Sequence, residues 1–262
     1  MSDTKNRTIC LYGDEIGSVS YVDHMGSDLT IVNSARVSFG NTRNELNDRD
    51  RRLVNYLIKH KHTSTFEHNV VTFKFVVPLF VRSQHHRHRT WSYNEISRRY
   101  TEKNLAFYLP KSFRTQHKSN RQASNSEELI NPLMYGMDDG PMSHPNSSLR
   151  VSDYMEICTD KCLDAYKDFL RKGVCREQAR MILPQNLYTE YYGTCNLSNL
   201  LKFIDLRTHE GAQWEIQKVA EACLDIASDL WPVAVGSYRR IKSGEKPLEE
   251  AKYKIGDLIK VN

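Results

Sequence analysis

The chain has 262 residues, of which 39% are hydrophobic and 26% are charged, as in a globular protein that buries a core without disulfide bonds. It lacks the run of about 20 apolar residues that a membrane span requires and the apolar stretch of a secretory signal, so we expect neither. The net charge of +5 and the pI of about 8.8 favour anionic ligands without demanding nucleic acid.

Strand and helix patterns alternate in the N-terminal part of the chain. A short strand is predicted around 19–22 and a short helix over 29–35, and the apolar spacing of 47–61 predicts a second helix. The β-branched and aromatic residues of 69–77 favour a strand, which Pro78 ends.

The C-terminal part is predicted to be mainly helical. Apolar residues of 155–169 fall on one helical stripe that Gly173 terminates, and a short helix over 177–183 precedes a strand over 187–194. Asn196 has the side chain of an N-cap for the next helix. A further amphipathic helix follows over 216–230.

We expect these apolar stripes to face a core. The elements predict an α+β fold, and the absence of βαβ alternation and of a GxGxxG motif disfavours a Rossmann domain. The chain is predicted to be a single domain over 1–262. Residues 112–150, rich in Ser, Asn, Gln and charge, are interpreted as an inserted and largely irregular polar loop. Residues 242–262 are interpreted as a C-terminal tail.

Six cysteines occur without a CxxC pair. Free cysteines are usually buried, and reduced thiols are typical of the cytoplasm. We therefore expect a cytoplasmic protein with mostly buried thiols and no zinc site or disulfide framework.

The segment 82–100 is unusually basic, with five arginines, three histidines and one acidic residue. Such like charges repel, and anions such as phosphates between the guanidinium groups reduce that repulsion. Arginine suits this role because its planar fork makes paired hydrogen bonds to phosphate oxygens.

The composition of this segment is compatible with four interpretations. They are a solvated basic face, a metal site formed by His85, His86 and His88, a nucleic-acid-binding patch with aromatic stacking, and a site for a phosphorylated small molecule or nucleotide cofactor. Adjacent histidines converge poorly on a metal, and the basic excess elsewhere is too weak for a long nucleic-acid track. Trp91, Tyr93, Ile96 and Tyr100 fit poorly on a solvated face. The last interpretation therefore fits best.

The same segment carries a family resemblance. Arg87-His88-Arg89, followed after seven residues by Ser97, resembles the RHR-x7-S signature of the flavin-dependent thymidylate synthases. Further blocks are similar to segments of that family, and together the similarity covers most of 17–108 and 154–235. These blocks lie at 62–68 (HTSTFEH), 176–180 (REQAR), 183–189 (LPQNLYT), 206–207 (LR) and 212–216 (AQWEI).

The resemblance implies the family's fold, a mixed or antiparallel sheet with flanking helices, and the family's reaction. It implies methylation of dUMP to dTMP, with methylenetetrahydrofolate as carbon donor, bound FAD as hydride carrier and NADPH as reductant. It also implies a homotetramer with shared active sites, and no nucleic-acid or membrane partner. The Pro-Cys-His context of the other thymidylate synthase class is absent, so no cysteine nucleophile is expected.

Motif positions imply one catalytic residue and two overlapping ligand sets. Arg207 is implied as the catalytic residue, with a guanidinium that stabilises negative charge on the uracil ring. The residues implied to contact dUMP are Gln84, His85, His86, Arg87, Glu95, Ile96, Ser97, Arg98, Arg99, Arg180 and Arg207. The residues implied to contact FAD are Ser64, Arg87, His88, Arg89, Asn94, Glu95, Asn196, Leu197, Ser198 and Lys202.

Several of these assignments have alternatives. Asn196 is equally suited to be a simple helix cap. Arg180 is also suited to a surface ion pair with Glu177. The resemblance places His62 near folate and flavin, but a structural role is the alternative. Two positions depart from the family pattern: Lys202 stands where many relatives have asparagine, and Gly211 where many have histidine. A contact from Lys202 to a phosphate is one alternative at the first position. His209 in place of the missing imidazole is one at the second.

Overall fold

Antiparallel strands form the centre of the protein, and helices cover one face of the sheet. The computed structural model describes residues 7–101, 105–134 and 149–245. The strands are β1 (Thr8–Cys10), β2 (Ser18–Met25), β3 (Val70–Pro78), β4 (Ser92–Glu95), β5 (Phe113–Gln116), β6 (Ser124–Ile130), β7 (Leu133–Met134), β8 (Leu149–Arg150) and β9 (Tyr188–Asn196). The helices are α1 (Asp28–Arg36), α2 (Asp48–Lys59), α3 (Leu79–His85), α4 (Val151–Arg171), α5 (Arg176–Ala179), α6 (Leu197–Arg207), α7 (Trp214–Leu230) and α8 (Pro232–Ser243). Among these residues, no helix combines the length and apolarity needed to cross a bilayer.

The central sheet has the strand order β1-β2-β3-β9-β4 and buries one of its faces. Alternate residues of β3, including Phe73 and Phe75, are fully buried, and the residues between them are half-buried. Phe75 lies opposite Tyr191 and Phe73 opposite Gly193 in the antiparallel register, so both strands turn the same face inwards. A Cβ at Gly193 would lie 2.8 Å from a ring carbon of Phe75, so glycine is needed where this ring packs over β9.

Most of the helices contribute buried side chains to the main core. The buried residues Ile31, Leu53, Leu200, Ile226 and Ala234 come from α1, α2, α6, α7 and α8 in turn. Burying a large aliphatic side chain of this kind contributes about 1.5–3 kcal/mol. A smaller second core joins α4 to α5 and to the segment that precedes β9, and it contains Tyr166, Ala179, Leu183 and Leu187.

The predicted α+β class and the long elements are confirmed. The strands expected over 69–77 and 187–194 correspond to β3 and β9, and the helix expected over 155–169 lies within α4. Asn196 caps α6, because its side-chain oxygen accepts a hydrogen bond of 2.9 Å from the backbone N–H of Asn199.

Two expectations about burial are wrong. The apolar stripe of α4 does not face a core along its length, since only Thr159 and Tyr166 of that helix are buried and Phe169 is 41% exposed. The thiols are all free but are not mostly buried. Cys195 and Cys223 are buried, Cys158 and Cys162 are intermediate, and Cys10 and Cys175 are exposed.

The inserted segment is more ordered than expected. β5 and β6 pair as an antiparallel hairpin, and β7 pairs with β8, so an irregular backbone is the wrong prediction for the part that the structure describes. Residues 135–148 lie outside the described residues. Of the predicted tail, 242–243 belong to α8, and 246–262 also lie outside the described residues.

A buried carboxylate caps α8. Asp28 accepts hydrogen bonds of 2.9 Å from the backbone N–H groups of Val233 and Ala234, and burial raises its pKa although these two bonds lower it. Replacing Asp28 by alanine leaves two buried donors without an acceptor, so we expect the free energy of unfolding to fall by about 2 kcal/mol or more. Urea denaturation measures this, and Asp23→Ala, at an exposed position of β2, is the control. Equal stability of the two variants would contradict the capping role of Asp28.

Candidate functional site

Segment 82–100 folds as the end of a helix, a turn and a strand. α3 begins directly after Pro78 and ends at His85, and β4 pairs with the middle of β9. The Tyr93 hydroxyl donates to the backbone carbonyls of His85 (2.9 Å) and His88 (3.1 Å), which fastens the turn. The basic side chains are therefore carried on a rigid frame.

His85 lies in the core. Its side chain is fully buried, its Nδ1 is 2.8 Å from the hydroxyl of Tyr191, and its ring contacts those of Trp91 and Phe203. Burial, followed by the nearby cationic groups, lowers the pKa of His85 well below its usual value, so the ring is neutral. A side-chain contact from His85 to dUMP is therefore excluded in this fold, and only its backbone remains available.

The aromatic residues of the segment are divided between core and surface. Trp91 is 5% exposed and Tyr93 is half-buried, but Ile96 is 38% and Tyr100 is 78% exposed. The argument against a solvated face is therefore carried by Trp91 and Tyr93, whereas Ile96 and Tyr100 are exposed on the single chain. Because Trp91 packs inside the protein, it is not available to stack on nucleic-acid bases, which weakens the nucleic-acid interpretation.

Three arginines line one open cavity of 430 Å³: Arg82, Arg98 and Arg180. Arg82 pairs with Glu95 through Nη2 at 2.7 Å, and its Nε donates to both carboxylate oxygens. Arg98 donates to the Tyr188 carbonyl at 3.2 Å. With Ser97 also on the wall, the cavity holds three cations and one acid, which suits a dianionic phosphate.

Arg180 reaches this cavity from the turn after α5. Its Nε donates to the backbone carbonyl of Glu177 at 3.3 Å, rather than to the carboxylate that the surface ion-pair alternative requires. Arg180 thus remains on the wall of the same cavity as Ser97. This arrangement favours a binding role for Arg180.

Arg207 lies at the end of α6 and is held by two neutral acceptors. Its Nε donates to His88 Nε2 at 3.1 Å, and its Nη2 donates to the carbonyl of Gln84 at 3.2 Å. Burial, and then the nearby charge of Arg87, lowers the pKa of Arg207 from its usual value. Neither partner is an acid, so the positive charge of Arg207 remains available to a ligand.

His88 is expected to make the stability of the protein pH-dependent. Burial and the neighbouring Arg207 lower its pKa to about 4, whereas in the unfolded chain it titrates near 6.5. Between these values the unfolded state binds the proton, so stability falls as the pH is lowered from about 6.5 to 4.

His88→Gln should reduce this loss of stability at low pH by roughly 1 kcal/mol, a figure that allows for the half-exposure of the ring and for solvent screening. Denaturant titrations at several pH values measure it, with His24→Gln at an exposed histidine as the control. An unchanged pH slope in His88→Gln would refute the assigned titration.

A second cavity of 470 Å³ lies between α2, α6 and α8. His62, Ser198 and Lys202 line it, over an apolar floor that includes Leu57 and Phe66. The Ser198 hydroxyl is buried and has no hydrogen-bond partner among the described residues. A flat aromatic ligand with polar edges fits these residues, since it would cover the floor and bond to the unpaired hydroxyl. Part of the implied FAD set is therefore compatible with a flavin.

The remaining members of that set are distributed differently. Arg87, His88, Arg89 and Asn94 do not line the second cavity but lie on the turn and strand after α3, and Ser64 lies on the 3-10 turn Thr63–Phe66. Asn196 uses its side-chain oxygen as the cap of α6.

The side chain of Leu197 is not available to a ligand in this fold, so its implied flavin contact stays a prediction. Leu197 is fully buried, and its N–H donates to the Asn69 carbonyl.

Six of the implied dUMP residues are not on the wall of the first cavity: Gln84, His85, His86, Arg87, Arg99 and Arg207. Arg99 is exposed, and its guanidinium lies 5.2 Å from the ring centroid of Tyr100. The ring of His86 stacks on Tyr93 with a centroid distance of 4.1 Å. The roles of both residues stay predictions.

Sequence reasoning missed several polar residues around the site. Arg82 lies within the basic segment, and Thr189, which donates to Glu95 at 2.7 Å, lies in a motif block. Gln213 accepts a hydrogen bond from Gln84. Arg114 had no signal, because it lies in the inserted segment outside the resemblance.

Across 7–101, 105–134 and 149–245, no group of three or more His, Cys, Asp or Glu side chains is placed to bind a metal ion. His85 points into the core while His86 packs on Tyr93, so the three histidines of the basic segment do not converge.

Comparison with known proteins identifies the relatives of this chain. Residues 20–233 match the family model described as thymidylate synthase complementing protein. A flavin-dependent thymidylate synthase of Thermus thermophilus is 40% identical over 222 residues, which cover 85% of this chain and 75% of the relative. One of Thermotoga neapolitana is 38% identical over 216 residues, covering 82% and 88%.

The fold is also similar to a solved structure. A UMP/dUMP methylase, PolB, from Streptomyces cacaoi, crystallised with 5-Br dUMP, superposes with a TM-score of 0.70 at 31% identity. The superposition covers 88% of this chain and 97% of that protein.

Proposed function

The chain belongs to the flavin-dependent thymidylate synthase family, and we propose that it methylates C5 of dUMP to give dTMP. In this proposal methylenetetrahydrofolate donates the carbon, bound FAD serves as hydride carrier, and NADPH is the reductant. The observation that carries the proposal is the arrangement around α3. Arg82 of that helix lines the three-arginine cavity, and the carbonyl of Gln84 orients Arg207.

The three-arginine cavity is proposed to bind the phosphate of dUMP. Ser97 provides a hydroxyl, and Arg98 and Arg180 provide guanidinium groups on the wall. Because Glu95 already pairs with Arg82, that acid is less able to repel an incoming phosphate. The 5′-phosphate would then anchor the nucleotide and limit the positions of its base.

Arg207 is proposed to activate the base. C5 of uracil is a poor nucleophile, and it becomes stronger when negative charge on the ring is stabilised at N3, O2 or O4. A guanidinium fixed by His88 and the Gln84 carbonyl provides that stabilisation without reorganising during the reaction.

FAD, when bound, supplies the hydride transfer that the protein side chains cannot perform. We propose that Ser198 and Lys202 hold it from the first turns of α6, and that Arg87, His88, Arg89 and Asn94 hold it from the segment after α3. Lys202 is exposed beside the buried Ser198 hydroxyl, a position suited to a phosphate.

No cysteine nucleophile is proposed. Burial raises the pKa of Cys195 and Cys223, so these thiols stay protonated and unreactive near neutral pH. None of the six cysteines lines the two cavities of the site. A thiol-blocking reagent that abolished turnover while fold and flavin remained intact would contradict this.

The active protein is proposed to be a cytoplasmic homotetramer with shared active sites. Met181 and Ile96, on the wall of the first cavity, are exposed by 77% and 38%. Ile182 and Tyr100, close to them in the sequence, are exposed by 38% and 78%, and apolar exposure of this kind is typical of interfaces. Light scattering of an active preparation should give a tetramer, and a monomer would contradict the proposal.

The flavin spectrum is the first experiment. The purified protein should be yellow, should oxidise NADPH in response to dUMP, and should convert dUMP to dTMP when methylenetetrahydrofolate is present. A colourless protein with salt-sensitive affinity for polynucleotides would instead support the nucleic-acid-binding alternative.

A further inference from the structure

A polar side-chain network begins in the inserted hairpin. Arg114 of β5 donates from Nη2 to both carboxylate oxygens of Glu215, at 2.7 Å and 2.9 Å. Glu215 is 4% exposed and also accepts a hydrogen bond from the Tyr108 hydroxyl at 3.2 Å. The Arg114 guanidinium is itself fixed, because Nε donates to Ser124 and the group lies 5.3 Å from the Trp214 ring centroid.

This network continues to Gln84, a residue that the proposed function places against dUMP. Gln213 donates from Nε2 to Glu215 Oε2 at 2.9 Å, and Gln84 donates from Nε2 to Gln213 Oε1. A carboxylate accepts hydrogen bonds and donates none, so Glu215 dictates which end of the Gln213 amide faces it. Gln213 must then turn its carbonyl oxygen to Gln84, which turns its own NH₂ group to Gln213 and its Oε1 away.

The hairpin also packs on the loop before Gln213. A Cβ at Gly211 would lie 3.4 Å from the side-chain nitrogen of Asn120 and 3.3 Å from His209 Nδ1. The inserted hairpin is thus packed on the backbone that carries Gln213 and Glu215, at two separate points.

We infer that Arg114 is a positioning residue for the nucleotide: through Glu215 and Gln213 it holds Gln84 with Oε1 presented as an acceptor for an N–H or O–H group of a pyrimidine nucleotide. The inference rests on the proposed function, since it requires Gln84 to contact dUMP. It gives the inserted hairpin a part in substrate binding, although Arg114 itself lies outside the family resemblance.

The test is steady-state kinetics of the flavin-loaded enzyme with dUMP varied. Arg114→Met should raise KM for dUMP about tenfold, because one side-chain hydrogen bond to the nucleotide is misdirected, and should change kcat by much less. Arg114→Lys should restore part of the affinity. Arg121→Met, which removes the same charge from an exposed position of the same hairpin, should leave KM at the wild-type value.

A double-mutant cycle separates this network from a general loss of structure. Gln213→Met interrupts it but keeps the Arg114–Glu215 pair. We expect the Gln213→Met single variant to raise KM for dUMP. The double variant should raise KM no further than the larger of the two single changes. Additive effects, or a folded Arg114→Met protein with unchanged KM, overturn the inference. If Arg114→Met loses its flavin or melts early, an unchanged KM in Gln213→Met overturns it equally.

The Gln84→Met variant distinguishes a failure of the proposed function from a failure of the inference about Arg114. A wild-type enzyme without dUMP-dependent turnover contradicts the proposed function. If Gln84→Met raises KM for dUMP while the Arg114 and Gln213 variants do not, the proposed function stands and only the inference is lost.

Discussion

Replacing Arg207 by methionine is expected to lower kcat for dTMP formation by about a hundred- to a thousandfold, the range seen when one preorganised donor is removed from a developing negative charge. Arg207 is held by His88 Nε2 and the Gln84 carbonyl. Both contacts orient the guanidinium and neither neutralises it. The variant therefore loses a charge that is already in position for the uracil ring.

Turnover at saturating dUMP, with flavin content measured in parallel, tests this expectation. Arg207→Lys keeps a charge but not the planar fork, so it should recover only part of the rate. Arg239→Met is a matched control, because Arg239 pairs with Asp225 on the surface of the protein. Wild-type kcat in a flavin-loaded Arg207→Met enzyme would remove Arg207 from the mechanism.

The sequence was most informative where burial imposes a period on the chain. β3 alternates buried and half-buried residues along its length, and that alternation is visible as a run of β-branched and aromatic residues. The cap at Asn196 was predictable because the requirement is local: a side-chain oxygen must reach an N–H three residues ahead.

Features that depend on long-range packing were not predictable in this way. The apolar stripe of α4 has helical spacing, but no layer of the described chain covers Phe169. Arg114 and Asp28 meet partners about a hundred and two hundred residues away, and nothing in their immediate sequence indicates those partners. Leu197 lies within the range of the family resemblance, yet its side chain turns into the core.

The motif positions identified the composition of the site better than its geometry. Ser97, Arg98 and Arg180 do share one cavity, although Arg180 is far from the other two in the sequence. Arg82 was overlooked even though it lies in the basic segment, because its role depends on Glu95 and Thr189, which only the folded sheet brings to it.

Arg98→Met is expected to raise KM for dUMP by about ten- to a hundredfold, which corresponds to the roughly 1.5–3 kcal/mol of a hydrogen bond to a charged group. Arg98 is half-buried on the wall of the three-arginine cavity, and burial lowers the pKa of its guanidinium. A cation kept partly from water gains more from a phosphate dianion than an exposed one does.

Deoxyuridine, which has the same base and sugar but no phosphate, isolates the contact. Its inhibition constant should be nearly the same in wild type and in Arg98→Met, since the lost interaction is with the phosphate alone. Arg171→Met, at an arginine that is 74% exposed and pairs with Asp168, should behave as wild type with both ligands. Equal weakening of dUMP and deoxyuridine would instead mean that Arg98 supports the base or the sugar, and that the phosphate binds elsewhere.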